Sequence, residues 1–184
     1  MSCAVVALFA LSACQAQPVA GPVPVPATSV WFVGDSVAHG VSMHMPSQPF
    51  RGARGGAGFT HGALNDVTTN TLALLDEHGV TPELMLVMAG VNDLSRGLVT
   101  PQDVVTGMVA FEGAMAERGI PVRWVLEPRW SITQLDTVNA WLLANRPDAI
   151  DCRAFAGPAT IDTVHPVSYT GIARCVDEAL AAAS

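Results

Sequence analysis

The stretch Ser29-Val30-Trp31-Phe32-Val33-Gly34-Asp35-Ser36 decides the fold of this 184-residue chain. Its four consecutive apolar residues are β-branched or aromatic, which predicts a strand buried on both faces, as in a parallel sheet. Gly34 permits a sharp turn after that strand, and the residues from Ser36 onward can open a helix. Ser36 is therefore predicted to lie at the carboxyl end of a central strand, where open α/β sheets bind their ligands. By itself this position suits either a nucleophile or a serine that simply caps the helix.

The rest of the pattern predicts an α/β domain. Further buried strands are expected at 84–88 and 122–126, with a short last strand at 149–150 and another within 48–53. Strands and helices alternate without hairpin signals, which indicates a parallel sheet covered by helices on both faces. The predicted helices are a short one after Ser36 and those at 61–78, 100–118, 131–145 and 168–183.

Composition limits the classes of function. The formal net charge is −7, and all nine basic residues are Arg, with no basic cluster. A nucleic-acid surface needs such a cluster, so we expect no nucleic-acid partner. The length suits one domain with a full hydrophobic core.

The N-terminal segment predicts export. Residues 4–11 are apolar but too few to span a bilayer, which is typical of a signal-peptide core. They run into Leu11-Ser12-Ala13-Cys14, which resembles a bacterial lipobox ending in a lipidated cysteine. We predict a signal peptide at 1–14 with lipidation at Cys14; the alternative is a plain secretory leader with an incidental Cys. No Lys or Arg precedes the apolar segment, which leaves open a start upstream of Met1.

Residues 15–28 contain four prolines among Ala, Val and Gly, which is typical of an extended tether. The folded domain is expected to cover 29–184. The protein is accordingly predicted to be a membrane-anchored lipoprotein or a secreted protein, touching the membrane only through its lipid.

The four cysteines agree with export. Cys3 leaves with the leader and Cys14 carries the lipid, so Cys152 and Cys175 remain. A leftover pair in an exported domain suggests a disulfide, and two buried free thiols are the alternative. Neither has a second ligand at a spacing typical of zinc sites, so no metal is expected.

Polar residues follow three of the predicted strands, at 34–36, 90–93 and 129–130. In a parallel sheet these strand ends share one edge, so their side chains can converge on one crevice. Near the C-terminus, Asp162-Thr163-Val164-His165 places an acid and an imidazole three positions apart. A serine nucleophile needs such a base, and the base needs an acceptor that fixes its tautomer.

With these motifs the chain resembles the SGNH hydrolases, the GDSL esterase and lipase superfamily. Gly34-Asp35-Ser36 matches the first block, Gly90-Val91-Asn92-Asp93 the Gly-X-Asn-Asp block, and Asp162-Thr163-Val164-His165 the Asp-X-X-His block. The glycine block is the weakest match: Gly58 occupies the place of the oxyanion glycine, with Gly56 as the fallback. The resemblance implies a flavodoxin-like three-layer α/β/α sandwich of about five parallel strands.

The resemblance also implies roles for these residues. Ser36 would attack an ester carbonyl, His165 would transfer the proton, and Asp162 would orient His165. The oxyanion would be bound by the backbone N–H groups of Ser36 and Gly58 and by the Asn92 amide. For Asn92 a helix-capping turn is the alternative, and for Asp162 and His165 a loop pair with satisfied hydrogen bonds.

Other polar residues carry weaker interpretations. Asp35 is expected to organise its turn. Arg129 and Trp130 lie at a strand end and would line the acyl or alcohol pocket, although packing is an equal alternative for Trp130. The remaining histidines show no ligand spacing and are interpreted as surface or polar-core residues, so no cofactor is expected; they are His39, His44, His61 and His78.

The predicted function is a serine esterase that hydrolyses small acyl esters. We expect the protein to be a monomer. Acetyl groups on envelope or environmental carbohydrate are the candidate substrates, and the short loops favour short acyl chains. Two alternatives stay open: an acyltransferase with the same triad, and a catalytically silent envelope-binding module.

Overall fold

A four-stranded parallel sheet forms the centre of the computed structural model, which describes residues 30–128, 130, 132–160, 162 and 164–183. Its strands are β1 (Val30–Gly34), β2 (Phe50–Arg51), β5 (Leu84–Met88) and β6 (Val122–Trp124), in the order β2-β1-β5-β6. A parallel bridge between Val125 and Ile150 adds a fifth position beside β6. Counted along the chain, the order is second-first-third-fourth-fifth, which is the flavodoxin-like order.

Helices flank this sheet. The helix α1 (Ser36–His44) contacts α6 (Thr170–Ala181) and strand β1. The helix α4 (Pro101–Ala116) contacts α5 (Leu135–Asn145). Thr100 and Asp103 form a reciprocal capping box at the start of α4. The other helices are α2 (Val67–His78) and α3 (Val91–Ser95), with a 3₁₀ turn at Arg153–Phe155.

The predicted α/β class is confirmed, and several details differ. The last strand at 149–150 is reduced to the single bridge at Ile150. A two-stranded parallel sheet, β3 (Ala57–Gly58) and β4 (Asn65–Asp66), was not predicted. The helix expected at 61–78 begins only at Val67, where Asp66 caps it by accepting from the Thr69 N–H at 2.6 Å.

The register of the sheet positions the site. Gly34 pairs with Met88, so β1 and β5 end at the same level. Gly34 has φ +138, and a Cβ there would lie 1.9 Å from the Met88 carbonyl oxygen. Only glycine therefore permits the turn that places Ser36 beside the end of β5.

The core is apolar and lies on both sides of the strands. Trp31 and Phe32 on β1 are fully buried, and Trp124 on β6 packs edge to face with Phe59 and Phe111. No helix in the described part of the chain is both long and apolar enough to cross a bilayer. The signal peptide and lipidation predicted for 1–14, and the tether predicted for 15–28, lie outside the described residues.

Candidate active site

Ser36 is the first residue of α1 and is partly buried. The Asp35 carboxylate caps this helix, since its Oδ1 accepts from the Val37 N–H at 2.8 Å and from the Ala38 N–H at 3.4 Å. The Asp35 N–H donates to the Met88 carbonyl at 3.2 Å, which joins the turn to β5. As the first helical residue, Ser36 has no intrahelical acceptor for its own N–H, which leaves that group at the positive end of the helix. Asp35 therefore organises the turn, as predicted.

The structure brings Ser36, His165 and Asp162 into one hydrogen-bonded chain. His165 Nε2 lies 2.7 Å from Ser36 Oγ, and His165 Nδ1 lies 2.6 Å from Asp162 Oδ2. An ionised carboxylate can only accept, so it selects the tautomer in which Nδ1 donates and Nε2 accepts the serine proton. This is the arrangement a general base needs for a hydroxyl nucleophile.

Asp162 is strongly biased towards its ionised form. Its Oδ1 accepts from the Thr160 hydroxyl at 2.6 Å and from the backbone N–H groups of His165 and Val164, each at 3.0 Å. These donors, the Thr160 hydroxyl first, lower the pKa of Asp162 well below its ordinary value. The carboxylate therefore remains charged opposite the imidazole over the neutral and mildly acidic range.

Asn92 and Gly58 lie close together. The Asn92 amide donates one N–H to the carbonyl of Ala57 at 3.0 Å, which holds its side chain against the residue before Gly58. The amide has a second N–H available for a ligand. Gly56, the fallback, instead forms a turn with φ +72 whose carbonyl accepts from Leu64 and Asn65. The structure thus groups Gly58, and not Gly56, with Asn92.

Asp93 positions this segment, a role that sequence reasoning missed. Its buried carboxylate accepts from the Phe59 N–H and, at 2.7 Å each, from the Thr60 N–H and hydroxyl. Burial raises the pKa of Asp93 even though these donors oppose the change. A Cβ on Gly58 would lie 2.3 Å from Asp93 Oδ2, so the close approach requires glycine. The Asn-Asp pair of the motif was the available signal, because it places an acid next to the predicted oxyanion donor Asn92.

An open cavity of about 520 Å³ lies between the segment after β6 and the segment around the 3₁₀ turn, and its described lining residues do not include Ser36, Asp162 or His165. Trp130 lines it, packs partly against the core, and donates its indole N–H to the Gly157 carbonyl at 3.3 Å. The packing alternative for Trp130 is therefore seen, its place in an acyl or alcohol pocket stays a prediction, and Arg129 lies outside the described residues. The other lining residues are Pro128, Asp136, Asp151, Arg153, Ala154, Ala156 and Gly157.

The predicted disulfide is present. Cys152 and Cys175 are bonded, with their Cα atoms 5.8 Å apart, and join the segment before the 3₁₀ turn to α6. The closed loop contains Asp162 and His165. Within the described residues, no group of three or more His, Cys, Asp or Glu side chains is arranged to hold a metal ion.

Known structures share this fold. A carbohydrate esterase of family 3 from Talaromyces cellulolyticus matches with a TM-score of 0.66 at 18% identity, over 85% of this chain and 97% of that one. An acetyl esterase variant with an acetate ion matches with a TM-score of 0.63 at 18% identity, over 85% and 97%. A GDSL-like lipase from Bacteroides thetaiotaomicron matches with a TM-score of 0.60 at 16% identity, over 90% and 93%.

No protein-family model matches the chain, and no curated protein does. At these identities the likeness establishes the fold. The resemblance to SGNH hydrolases read from the motifs is thus confirmed at the level of the fold, and the roles of the individual side chains remain predictions.

Proposed function

We propose that the protein is a carboxylic ester hydrolase that uses Ser36 as its nucleophile. The observation that carries the proposal is the continuous chain from Ser36 Oγ through His165 to Asp162, at 2.7 and 2.6 Å. Two distant parts of the sequence meet in this chain, since Ser36 and His165 are 129 positions apart, and an incidental cap or loop pair does not require this. The shared fold of esterases and lipases supports the same reaction class.

The proposed reaction proceeds through an acyl-enzyme. Ser36 Oγ attacks the ester carbonyl carbon while its proton moves to His165 Nε2. The oxyanion accepts hydrogen bonds from the Ser36 and Gly58 N–H groups and the Asn92 amide. As the bond from carbon to the alcohol oxygen breaks, His165 returns the proton to the leaving alcohol. Water then attacks the acyl-enzyme by the same proton transfers, releasing the carboxylic acid and restoring Ser36.

The test is release of p-nitrophenol from acetate, butyrate and longer esters by the folded protein and its Ser36→Ala variant. We expect activity that falls with acyl length and is lost in the variant. Ser47→Ala is the matched control, because Ser47 is an exposed serine beyond the end of α1. Unchanged activity in Ser36→Ala would reject the nucleophile.

Two other experiments separate the alternatives. An acyltransferase would move the acyl group to an added alcohol, so ester product in the presence of a sugar acceptor would favour transfer over hydrolysis. A silent binding module would leave Ser36 unreactive towards a fluorophosphonate probe, whereas a nucleophilic serine is labelled.

For the alcohol part of the substrate we propose carbohydrate. The cavity lined by Trp130 combines an indole with Asp151 and Arg153, which form a bidentate ion pair at its wall. An aromatic face with planar hydrogen-bonding groups suits a polyhydroxylated ring. The similarity to a carbohydrate esterase fold agrees with this choice.

The cavity proposal is tested by kinetics on two acetate esters. Trp130→Ala is expected to raise KM for an acetylated oligosaccharide and to leave p-nitrophenyl acetate unaffected. Trp141→Ala serves as the control, because Trp141 is a half-buried tryptophan of α5 that stacks with Arg146. Equal effects of both variants on both substrates would remove Trp130 from sugar binding.

We further propose export with a lipid anchor at Cys14. The disulfide between Cys152 and Cys175 supports an oxidising compartment. In a bacterial host, the full chain is expected in the membrane fraction and Cys14→Ala in the soluble exported fraction. Release of the unaltered chain into the medium would favour the plain secretory leader.

A further inference from the structure

Two carboxyl groups are buried together next to the candidate nucleophile. Asp35, directly before Ser36, has no exposed surface, and Glu127, which follows β6, is 2% exposed. The two residues come from the ends of strands on either side of β5, and their carboxyl groups lie within hydrogen-bonding reach of each other. The Glu127 backbone is fixed as well, since its carbonyl accepts from the buried Asn139 amide at 2.8 Å. The proposed mechanism uses neither carboxyl.

A count of donors shows that the pair holds a proton. Asp35 Oδ1 accepts from the start of α1, but Asp35 Oδ2 and both oxygens of Glu127 have no donor among the described residues. Two buried carboxylates facing each other would repel and leave all three oxygens unsatisfied, at a large desolvation cost. One proton between the two carboxyl groups replaces this repulsion with a hydrogen bond, as in other carboxyl pairs that share a site. It satisfies two of the three oxygens.

The surroundings decide which residue carries that proton. Asp35 accepts from the N-terminal N–H groups of α1, which stabilise its negative charge, whereas Glu127 has no comparable donor. Burial raises the pKa of Glu127 well above its ordinary value, and the charge of Asp35 adds to the effect. Burial also raises the pKa of Asp35, to about 6. Glu127 is therefore the acid and Asp35 the acceptor.

We propose that Glu127 is a positioning residue for Ser36: its neutral carboxylic acid donates a hydrogen bond to Asp35 Oδ2 and holds the turn that aims Ser36 Oγ at His165. The catalytic part of this inference rests on the proposed esterase function. The protonation of Glu127 does not, so it is tested separately.

Loss of that proton would place a second charge in the same buried site. The carboxylate of Asp93 on α3 already repels a negative charge on Asp35. Tyr169, directly before α6, also interacts with the pair. With no cation among these groups, ionised Glu127 would repel Asp35 and loosen the turn. Ser36 is then expected to lose its alignment reversibly at alkaline pH.

The activity test compares Glu127→Gln with Glu127→Leu. The amide of Glu127→Gln still donates to Asp35 and cannot ionise, so kcat should stay within about threefold of wild type and the alkaline decline should disappear. Glu127→Leu leaves Asp35 Oδ2 without a donor, and kcat should fall about tenfold or more with KM little changed. Equal kcat in the two variants, or an alkaline decline that persists in Glu127→Gln, would overturn the positioning role.

A second test needs no substrate. An acid with a raised folded-state pKa stabilises the fold fully below its unfolded pKa and loses this contribution as pH rises towards the folded value. The free energy of unfolding of wild type should thus fall as pH rises above about 6, where Asp35 has already lost its proton, and Glu127→Gln should lack the slope in that range. Glu117→Gln, at the exposed end of α4, is the control and should retain it.

If Glu127→Gln does not fold, the wild-type protein still provides a measurement. The infrared carbonyl band of a protonated carboxylic acid, identified by isotope-labelled glutamate, is expected at neutral pH. Absence of the band would overturn the protonated Glu127 even if the protein proves to be an active esterase. Presence of the band in a protein without esterase activity would reject only the proposed function.

Discussion

The turn that carries Ser36 is buried and joined to the sheet, whereas the loop that carries Asp162 and His165 is exposed and supported mainly by its own hydrogen bonds. Gly34 and Asp35 contact β5, and Asp35 has no exposed surface. The side chains of His165 and Asp162 are 33% and 50% exposed. The candidate nucleophile is therefore fixed by the core, while we expect that the candidate base can be perturbed without unfolding the domain.

Electrostatics differ between the two regions in the same way. At the turn, burial dominates and raises the pKa of Asp35 and Glu127. In the loop, hydrogen-bond donors dominate and lower the pKa of Asp162. Asp162 can remain charged in the loop because donors and water surround it, whereas the turn tolerates its acids by keeping one proton.

The largest expected effect comes from a substitution in the loop that carries Asp162 and His165. Asp162→Asn removes the acceptor that fixes the His165 tautomer, so kcat for ester hydrolysis should fall by about four orders of magnitude. The fold should persist, because Asp162 is half exposed. Circular dichroism and kcat are the measurements.

Asp66→Asn is the matched control for this change. Asp66 is an exposed helix cap, and asparagine caps equally well, so activity should not change. A loss of less than tenfold in Asp162→Asn would mean that the loop backbone orients His165 without the carboxylate.

The next largest effect concerns Asn92, which lies beside Gly58. Asn92→Ala removes one proposed oxyanion donor, which should lower kcat by roughly two to three orders of magnitude with KM little changed. Asn145→Ala, at the exposed end of α5, is the control. Turnover within a few-fold of wild type would exclude Asn92 from the oxyanion hole.

The comparison also explains which features could be predicted from the sequence. Ser36 and Asn92 directly follow apolar runs that read as buried strands, and His165 shares a short motif with its acid. Local patterns therefore predict their convergence once the sheet is known to be parallel. The order of the strands does not follow from this alternation; the flavodoxin-like arrangement was implied only by the resemblance to the SGNH hydrolases.

Features that depend on distant contacts were missed. The helix expected from residue 61 begins at Val67 because Thr60 and Phe59 are held by Asp93, more than thirty positions away. Glu127 reads as an ordinary loop residue after a strand. Its significance arises only from Asp35, which the fold brings against it from the other side of β5.

A smaller effect tests how much the disulfide contributes to the loop. Replacing Cys152 and Cys175 together by Ser should lower the free energy of unfolding by about 3 kcal/mol. The local hydrogen bonds of the loop, such as the 2.6 Å bond from the Thr160 N–H to the His165 carbonyl, should keep kcat within a few-fold. A loss of kcat comparable to that of Asp162→Asn would show that the disulfide, and not these bonds, fixes the base.

The smallest expected effect concerns how the free energy of unfolding depends on pH. The contributions of Asp35 at the turn and Asp162 in the loop should change with pH in opposite directions. Asp35, with a pKa raised from 3.8 to about 6, stabilises the fold fully at low pH and loses that contribution as pH rises through 6. Asp162, with a lowered pKa, contributes above 3.8 and loses its contribution as pH falls. Denaturant unfolding of wild type, Asp35→Asn and Asp162→Asn across this range should give stability differences with opposite slopes. Slopes of the same sign would mean that one environment governs both carboxyls, because burial and hydrogen-bond donation shift an acid in opposite directions.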